Sequence, residues 1–597
     1  NYNPVNPVAV SSMGYKDTFE STVVANLDFD QKLDFITKGL SFKALISFKN
    51  WSYNSKYRLQ GYNTYQLTDY TKNEDGTYNY TVNSIGDATN HTLDSFFGTD
   101  GDRRFYIQGY FNYDRAFGDH HVGGMLLYNQ DEYNSNVNSS LLNSLPKRRM
   151  GIAVRAAYDY ANRYLFEFNA GYNGSENFAK GHRFGFFPSV SVGWNISQEK
   201  FWEPIRNIVS NFKIRGSYGL VGNDQVPYTR FLYMGITTLN DSPSYQTGYG
   251  SHKESHNGPT FSRFENEDMT WEVGHKLNVG ADIQLFNSLN LTVDAFREIR
   301  SNILTTKGSI PNYLGAAKTV IYGNFAKVKN WGVDLAVDYG KQINRDLSIQ
   351  FKGTFTFARN RVMETDEAAD IRPALSAVGK PLNTLWGYVA DGLYIDEAGI
   401  ANNPTSTLGN ITIAAGDVKY VDQPDVNGNY DGQIDSDDRV AIGHPTIPEI
   451  IYGFGPSITW KKWDFSVFFQ GQANVSLMMS GFEPFGTQSK NNVLEWIAED
   501  YWSKENQNPN AKYPRLTKYN NNNNMQSSTY WLRNAAFLKL KNAEVGYNFK
   551  WGRVYMSGTN LLTFSPFKLW DPEMGGGKGM AYPTQRTFNL GVQITFK

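Results

Sequence analysis

The chain of 597 residues has no cysteine, a formal net charge of −1 and 40% hydrophobic residues. That excludes a disulfide framework, a thiolate metal site and a cysteine nucleophile, and it supplies no basic stripe for a nucleic-acid partner. No run approaches the ~18 consecutive apolar residues of a helical membrane span, and Asn1-Tyr2-Asn3 opens with neither the basic region nor the apolar core of a secretory signal, so the chain reads as a mature or truncated product.

In chain order, strands are expected with centres near residues 22, 45, 108, 125, 154, 168, 191 and 215. Others are expected near 279, 293, 335, 353, 455, 467, 542, 556 and 592. The signal is alternation at period 2, which marks a strand with two different faces. Val190, Val192, Trp194 and Ile196 alternate with Ser189, Ser191, Gly193 and Asn195. Leu277, Val279, Ala281, Ile283 and Leu285 alternate with Asn278, Gly280, Asp282 and Gln284. The pattern repeats in Val333 to Tyr339, in Tyr452 to Trp460, and in Phe588, Leu590, Val592, Ile594 and Phe596 at the C-terminus. Alternation alone also fits a soluble sandwich. These segments often run for ten or more residues, however, where a tilted membrane strand needs about 9–11 and a soluble strand about 5–6.

The connections alternate in length. Short ones include Phe117-Gly118-Asp119, Tyr160 to Arg163, Asn287-Ser288, Asn344-Arg345, Lys461-Lys462 and Lys550-Trp551-Gly552. Long ones cover 57–101, 133–147, 220–270, 302–328, 362–449, 476–531 and 562–585. Residues 198–210 read as a short helix on the short-turn side. Short turns at one end and long loops at the other are the pattern of an outer-membrane barrel. The 38 Tyr, 39 Phe and 13 Trp suit its aromatic girdles. The expected class is therefore all-β, a transmembrane antiparallel barrel with about 17 strands in this chain. An odd count puts residue 1 outside the cell if the last strand ends in the periplasm. The chain would then be the C-terminal part, over residues 1–597, of one barrel of about 22 strands, with about five strands and an N-terminal plug absent.

Several segments resemble the SusC family (SusC/RagA type) of TonB-dependent outer-membrane transporters in Bacteroidetes. They are Arg183 to Trp194 (Arg-Phe-Gly-Phe-Phe-Pro-Ser-Val-Ser-Val-Gly-Trp), Gly416-Asp-Val-Lys-Tyr420 with Asp438-Arg439 to Gly443, Asn534 to Tyr547, Val554 to Thr563, Trp570-Asp-Pro-Glu573 and Tyr582-Pro-Thr-Gln-Arg586. The resemblance is spread over most of the chain in family order. It implies a TonB-dependent importer of a bulky nutrient, an oligosaccharide or a peptide, seated in outer-membrane lipid. It also implies a SusD-like surface lipoprotein as lid, TonB contact through the absent plug, and a dimer of transporter–lipoprotein pairs as one arrangement. A passive porin and a surface glycan-binding β protein stay open as alternatives.

Among local motifs, Asn427 to Asp438 fits a Ca²⁺ loop of EF-hand type. Gly432 holds the sharp turn, and Asn427, Asn429, Asp431, Gln433 (through its carbonyl), Asp435 and Asp438 fall at ligand positions. Asn stands at the first position in place of Asp, and Asp at the last in place of the longer Glu; the alternative is a plain polar turn. His252 and His256 stand four apart, a zinc spacing only on a helix, and their Ser/Gly-rich setting argues against one. Gly575 to Met580 superficially resembles a phosphate loop but lacks the Ser/Thr after Lys578, and reads as a flexible loop. No nucleophile elbow or triad is found, so no enzyme is expected. Trp386, Tyr388, Tyr394, Trp496, Trp502 and Trp531 fall in or beside long loops. Their rings could stack on sugars, contact a lid protein or form a small loop core. Asn520 to Asn524 is low in complexity and reads as a mobile tip.

Overall fold

The computed structural model describes residues 7–86, 93–136, 141–225, 230–309, 320–368, 371–481, 493–518 and 520–596. One sheet of 17 strands dominates. It contains β1 (Gly14–Lys32), β2 (Leu40–Leu59), β3 (Asp94–Phe117), β4 (His120–Ser135), β5 (Lys147–Tyr160) and β6 (Tyr164–Ser175). Next come β7 (Phe184–Asn195), β8 (Val209–Asn223), β9 (Glu272–Leu285), β10 (Leu289–Thr306), β11 (Tyr322–Asn344) and β12 (Leu347–Glu364). The last five are β13 (Ile450–Trp460), β14 (Trp463–Ala473), β15 (Phe537–Phe549), β16 (Gly552–Phe564) and β17 (Thr587–Ile594). Every expected centre falls inside one of them. Each strand pairs antiparallel with the next, a meander from first to last.

The two faces decide between barrel and sandwich. In the β9–β10 pair, Val279 lies opposite Ala295, Ala281 opposite Val293 and Ile283 opposite Leu291. Val279 is 52% exposed, and Val192, Tyr218, Leu277, Val333, Leu590 and Val592 are likewise exposed. A soluble sandwich would bury this face; a barrel turns it to lipid. The other face carries ionic ladders. Arg215 on β8 reaches both oxygens of Asp294 on β10 at 2.6 Å, and Asp282 on β9 at 3.1 Å. Arg553 on β16 pairs with Asp464 on β14 and Glu544 on β15. Bidentate guanidinium–carboxylate pairs across neighbouring strands lock the register of a polar inner wall. Val279→Arg is therefore expected to lower barrel stability by about 2–4 kcal/mol, the cost of a cation facing the bilayer midplane. Denaturant unfolding in lipid, followed by tryptophan fluorescence, measures it.

Among the described residues, β1 and β17 have no partner on their outer edges. Because the count is odd, these two edges run in the same direction. An all-antiparallel closure would need an odd number of further strands between them, consistent with the even counts of bacterial single-chain barrels.

At one end the connections are short. The expected helix over 198–210 forms instead as two 3₁₀ turns, Ile196–Gln198 and Lys200–Ile205. Pro204 lacks the N–H a longer helix needs, and β8 has begun by Val209. At the other end the connections fold. Thr64–Lys72 pairs with Tyr78–Gly86, and Ile236–Thr247 with Glu254–Arg263. His256 lies in this second hairpin, against Tyr245 and within 2.7 Å of Thr247 Oγ1, so the helical zinc spacing is not realised.

Candidate functional site

The described parts of the connections 365–449 and 474–536 interlock into a cap over the open end of the wall. Short strands fold each onto itself: Leu385–Gly387 with Val440–Ile442, Ala390–Leu393 with Val418–Tyr420, and Ser476–Met478 with Leu532–Asn534. Backbone bonds join the two, from Tyr388 N–H to the Ser527 carbonyl and from Leu393 N–H to the Pro509 carbonyl at 2.9 Å each. Two apolar cores fill it. One gathers Val475, Leu477, Met479, Ile497, Tyr513, Trp531 and Phe567. The other gathers Tyr388, Leu393, Val418, Tyr420, Ile434 and Trp502.

This corrects the contact reading for four of the aromatics and favours the loop core that was also open. Tyr388, Tyr394, Trp502 and Trp531 are buried, their faces covered by the cap itself. Tyr388 packs on Tyr420, with ring centroids 5.3 Å apart, and Trp531 on Tyr513 at 5.7 Å. Only Trp386 and Trp496 of the six are half-buried and keep surface for a ligand or partner. The Asn520–Asn524 run is corrected too. Asn521, Asn523 and Asn524 are buried, because an amide donates and accepts at once and so satisfies backbone and side chains that a loop must hide.

These asparagines surround Asp417, which is fully buried. Its carboxylate accepts from Arg515 Nε at 2.7 Å and Nη2 at 3.0 Å, from the Asn521 and Asn524 amides at 2.9 Å each, and from the Ala414 N–H at 2.9 Å. Asn524 in turn accepts from the Val418 N–H, and its own carbonyl accepts from Trp531 Nε1. Beside it Gly416 sits at φ +89°, where a Cβ would strike the Trp502 ring. Gly416-Asp417 thus needs glycine for the left-handed turn and aspartate for the hub.

The connection 565–586 is tied to the same cap. Lys539 on β15 is 0% exposed and donates to both oxygens of Asp571, at 2.8 and 2.7 Å, and to Glu573. Asp571 also caps the 3₁₀ turn Pro572–Met574. Gly575 to Met580, expected as a flexible loop, is held: Gly577 N–H donates to Met478 at 2.8 Å, and Gly577 accepts from Ser480 N–H at 3.0 Å.

The calcium-type loop divides. Asn427, Asn429, Asp431 and Gln433 are exposed. Asp425 organises their arm, accepting from Asn427 N–H at 2.7 Å and Asn429 N–H at 2.9 Å, bonds that hold its carboxyl below the usual range. Asp438 is buried and shares a capping box with Asp435. Burial pushes the Asp438 carboxyl up, with Asp422 and Asp435 adding to the shift. Among the described residues, no three His, Cys, Asp or Glu side chains already converge as a metal site. Sequence reasoning missed Asp422 and Asp425; their own Asp-x-x-Asp spacing just ahead of the motif was the available signal.

Below the cap, against the inner wall, lies a cavity of about 420 Å³. Its lining includes Glu298, Arg300, Asn330, Asn360, Asn383 and Glu449. Glu449 descends from the cap and is held by Arg359 through two bonds of 2.7–2.8 Å. Convergent amides and charges on a solvent-reaching wall suit a polar ligand.

An apolar face toward lipid, a polar paired inner wall and a folded cap at the long-loop end define an outer-membrane β-barrel. The chain belongs to the TonB-dependent receptor-like β-barrel family, whose model matches residues 2–561. It is 26% identical over 479 residues to the TonB-dependent receptor P3 of Formosa agariphila, covering 74% of this chain and 45% of that protein. It is 23% identical over 627 residues to the TonB-dependent receptor SusC of Bacteroides thetaiotaomicron, covering 100% and 58%. The fold is shared with the RagAB peptide transporter at TM-score 0.72 and 19% identity, over 98% of this chain and 63% of that one. The chain thus spans about half the length of the relatives it matches.

Proposed function

We propose that this chain is the barrel of a TonB-dependent importer for a bulky nutrient, an oligosaccharide or a peptide. The observation that carries the reading is a folded cap, with its own cores, standing over a polar-walled barrel whose edges β1 and β17 are unpaired among the described residues. Free strand edges are costly in hydrocarbon, so further strands complete the wall. A plug against the ionic ladders then closes the lumen. The rigid wall contains, the cap and a SusD-like lipoprotein capture ligand outside, and TonB acts on the plug to open a path. A passive pore has no use for so large a cap.

Extraction of the native complex from outer membranes, with mass spectrometry of what accompanies this chain, tests the reading. A plug-bearing segment and a SusD-like lipoprotein are the expected companions, and retained glycan or peptide would name the cargo class. Recovery of the chain alone as an open, steadily conducting pore would overturn it.

A further inference from the structure

The stretch 420–440 folds around two buried carboxylates. Asp422 is 7% exposed and Asp438 is 2%. Asp422 Oδ2 accepts from the Gly432 N–H at 2.9 Å. Asp438 accepts from the Gln423 N–H at 2.7 Å and the Asp435 N–H at 2.8 Å. These bonds draw residues 422–423, 432 and 435–438 into one turn and set the carboxylates of Asp422 and Asp438 on adjoining backbone.

Among the described residues, neither carboxylate has a basic partner. Of the nearby cations, Arg372 pairs with Asp437 and Lys419 with Asp391, while Arg439, next to Asp438 in the chain, is exposed. The second oxygen of Asp422, Oδ1, is buried and meets no hydrogen-bond donor among the described residues. Contrast Asp417, a fully buried carboxylate of the same cap, whose charge is met by Arg515 and whose lone pairs are met by four groups. A buried anion left bare is disfavoured, and a second anion beside it makes matters worse. A partner that is positive, is satisfied by oxygens and tolerates an irregular site would answer both. Ca²⁺ meets all three conditions, taking 6–8 oxygen ligands in flexible geometry, whereas Mg²⁺ demands a near-ideal octahedron.

We propose that Asp422 and Asp438 anchor a calcium site, completed by Asp435 and by oxygens of the exposed arm 427–433, which fastens this turn to the cap. This differs from the plain EF-hand reading, because the anchor Asp422 precedes the twelve-residue motif. Gly432, at φ +74° with open space where a Cβ would stand, lets the arm fold back toward the buried pair. The carboxylates are not yet gathered, so binding closes the turn, and ordering of the turn is what an experiment reads. The inference does not depend on transport.

The test uses the transporter complex in detergent, stripped with EGTA and then titrated with CaCl₂. Uptake of ⁴⁵Ca²⁺ is followed alongside tryptic cleavage after Arg439. Calcium is expected to be taken up and to slow cleavage about tenfold, while Mg²⁺ at equal concentration does neither. Asp422→Asn is expected to abolish both effects. Asp435→Asn, at a half-exposed position that spares folding, weakens apparent affinity about tenfold. Asp396→Asn, at the cap of the turn Glu397–Ala401 in the same connection, changes neither. No calcium uptake by the wild type, or uptake that survives unchanged in both Asp422→Asn and Asp435→Asn, would overturn the proposal.

Discussion

Replacing Lys539 with methionine is expected to free the connection between β16 and β17 while the barrel stays folded. Lys539 is the fully buried centre of a cluster in which Asp571 and Glu573 are each only partly exposed. Methionine fills much of the same volume without the charge. Both carboxylates then face each other with no cation between them, apart from Lys541 at 3.6 Å from Glu573. Breaking one side of a buried pair costs about 3–5 kcal/mol. Water can reach the two acids and Lys541 offers partial cover, so the low end of that range, about 3 kcal/mol, is expected. The loss falls on the loop. Asp571 caps Pro572–Met574, and Gly577 bridges to Met478 and Ser480, so the loop loses its anchor and then its bridge. Tryptic cleavage after Lys578 should accelerate, while the melting temperature of the strands hardly moves. The triple variant Lys539→Met, Asp571→Asn, Glu573→Gln should recover part of the loss, because the only charge left unpaired is that of Lys541, which reaches water. Cleavage after Lys578 at the wild-type rate in Lys539→Met would rule this account out.

The barrel was legible in the sequence because a strand advertises its two faces within its own ten residues. The alternation of Leu277 to Leu285, or of Phe588 to Phe596, needs no knowledge of the neighbour to be read. The alternation of turn and loop lengths then ordered the strands. The cap was not legible, because its contacts are remote. Asp417 meets Arg515, Asn521 and Asn524 across 98 to 107 residues, and nothing beside Asp417 announces them. For the same reason Tyr388, Trp502 and Trp531 could be read as ligand contacts as readily as core: Trp502 completes a core supplied mainly by the other connection, and Tyr388 and Trp531 fill cores whose members lie far along their own connections. Asn520 to Asn524 misled in a more instructive way. Low complexity usually signals a chain with nothing to bury, yet these amides are the buried polar lining that lets two loops cross. The motif at Asn427 to Asp438 could be read from its spacing, but its template begins five residues too late to include Asp422, the anchor proposed above. Two segments of the family resemblance gain a physical meaning: Gly416-Asp417 makes the hub, and Asp571-Pro572-Glu573 makes the latch on Lys539.

Asp417→Ala is expected to unfold the cap more completely than any other single substitution in it. The alanine removes the acceptor of five hydrogen bonds and leaves a cavity. Asn521 and Asn524 are buried and cannot turn to water, so their amides lose partners outright at about 1–3 kcal/mol each. Arg515 is less costly, since its side chain is 23% exposed and can swing outward. The combined cost, about 3–5 kcal/mol, is comparable to the stability of a small folded unit. The strand Val418–Tyr420 and the Trp502 ring depend on the same asparagines and on Gly416, so the second core should open with the hub. Hydrogen exchange read by mass spectrometry should show lost protection over 385–440 and 500–530, with β8 to β11 unchanged. Asp417→Asn separates shape from charge. It restores the volume and one acceptor oxygen, but it points an N–H₂ at donors that need an acceptor, and it should recover only a minor part of the protection. Full protection in Asp417→Asn would mean that packing alone holds the cap. Lost protection would place its stability in one buried charge, and a lid protein resting on this surface would then lose its platform in Asp417→Ala although no residue of the contact had been altered.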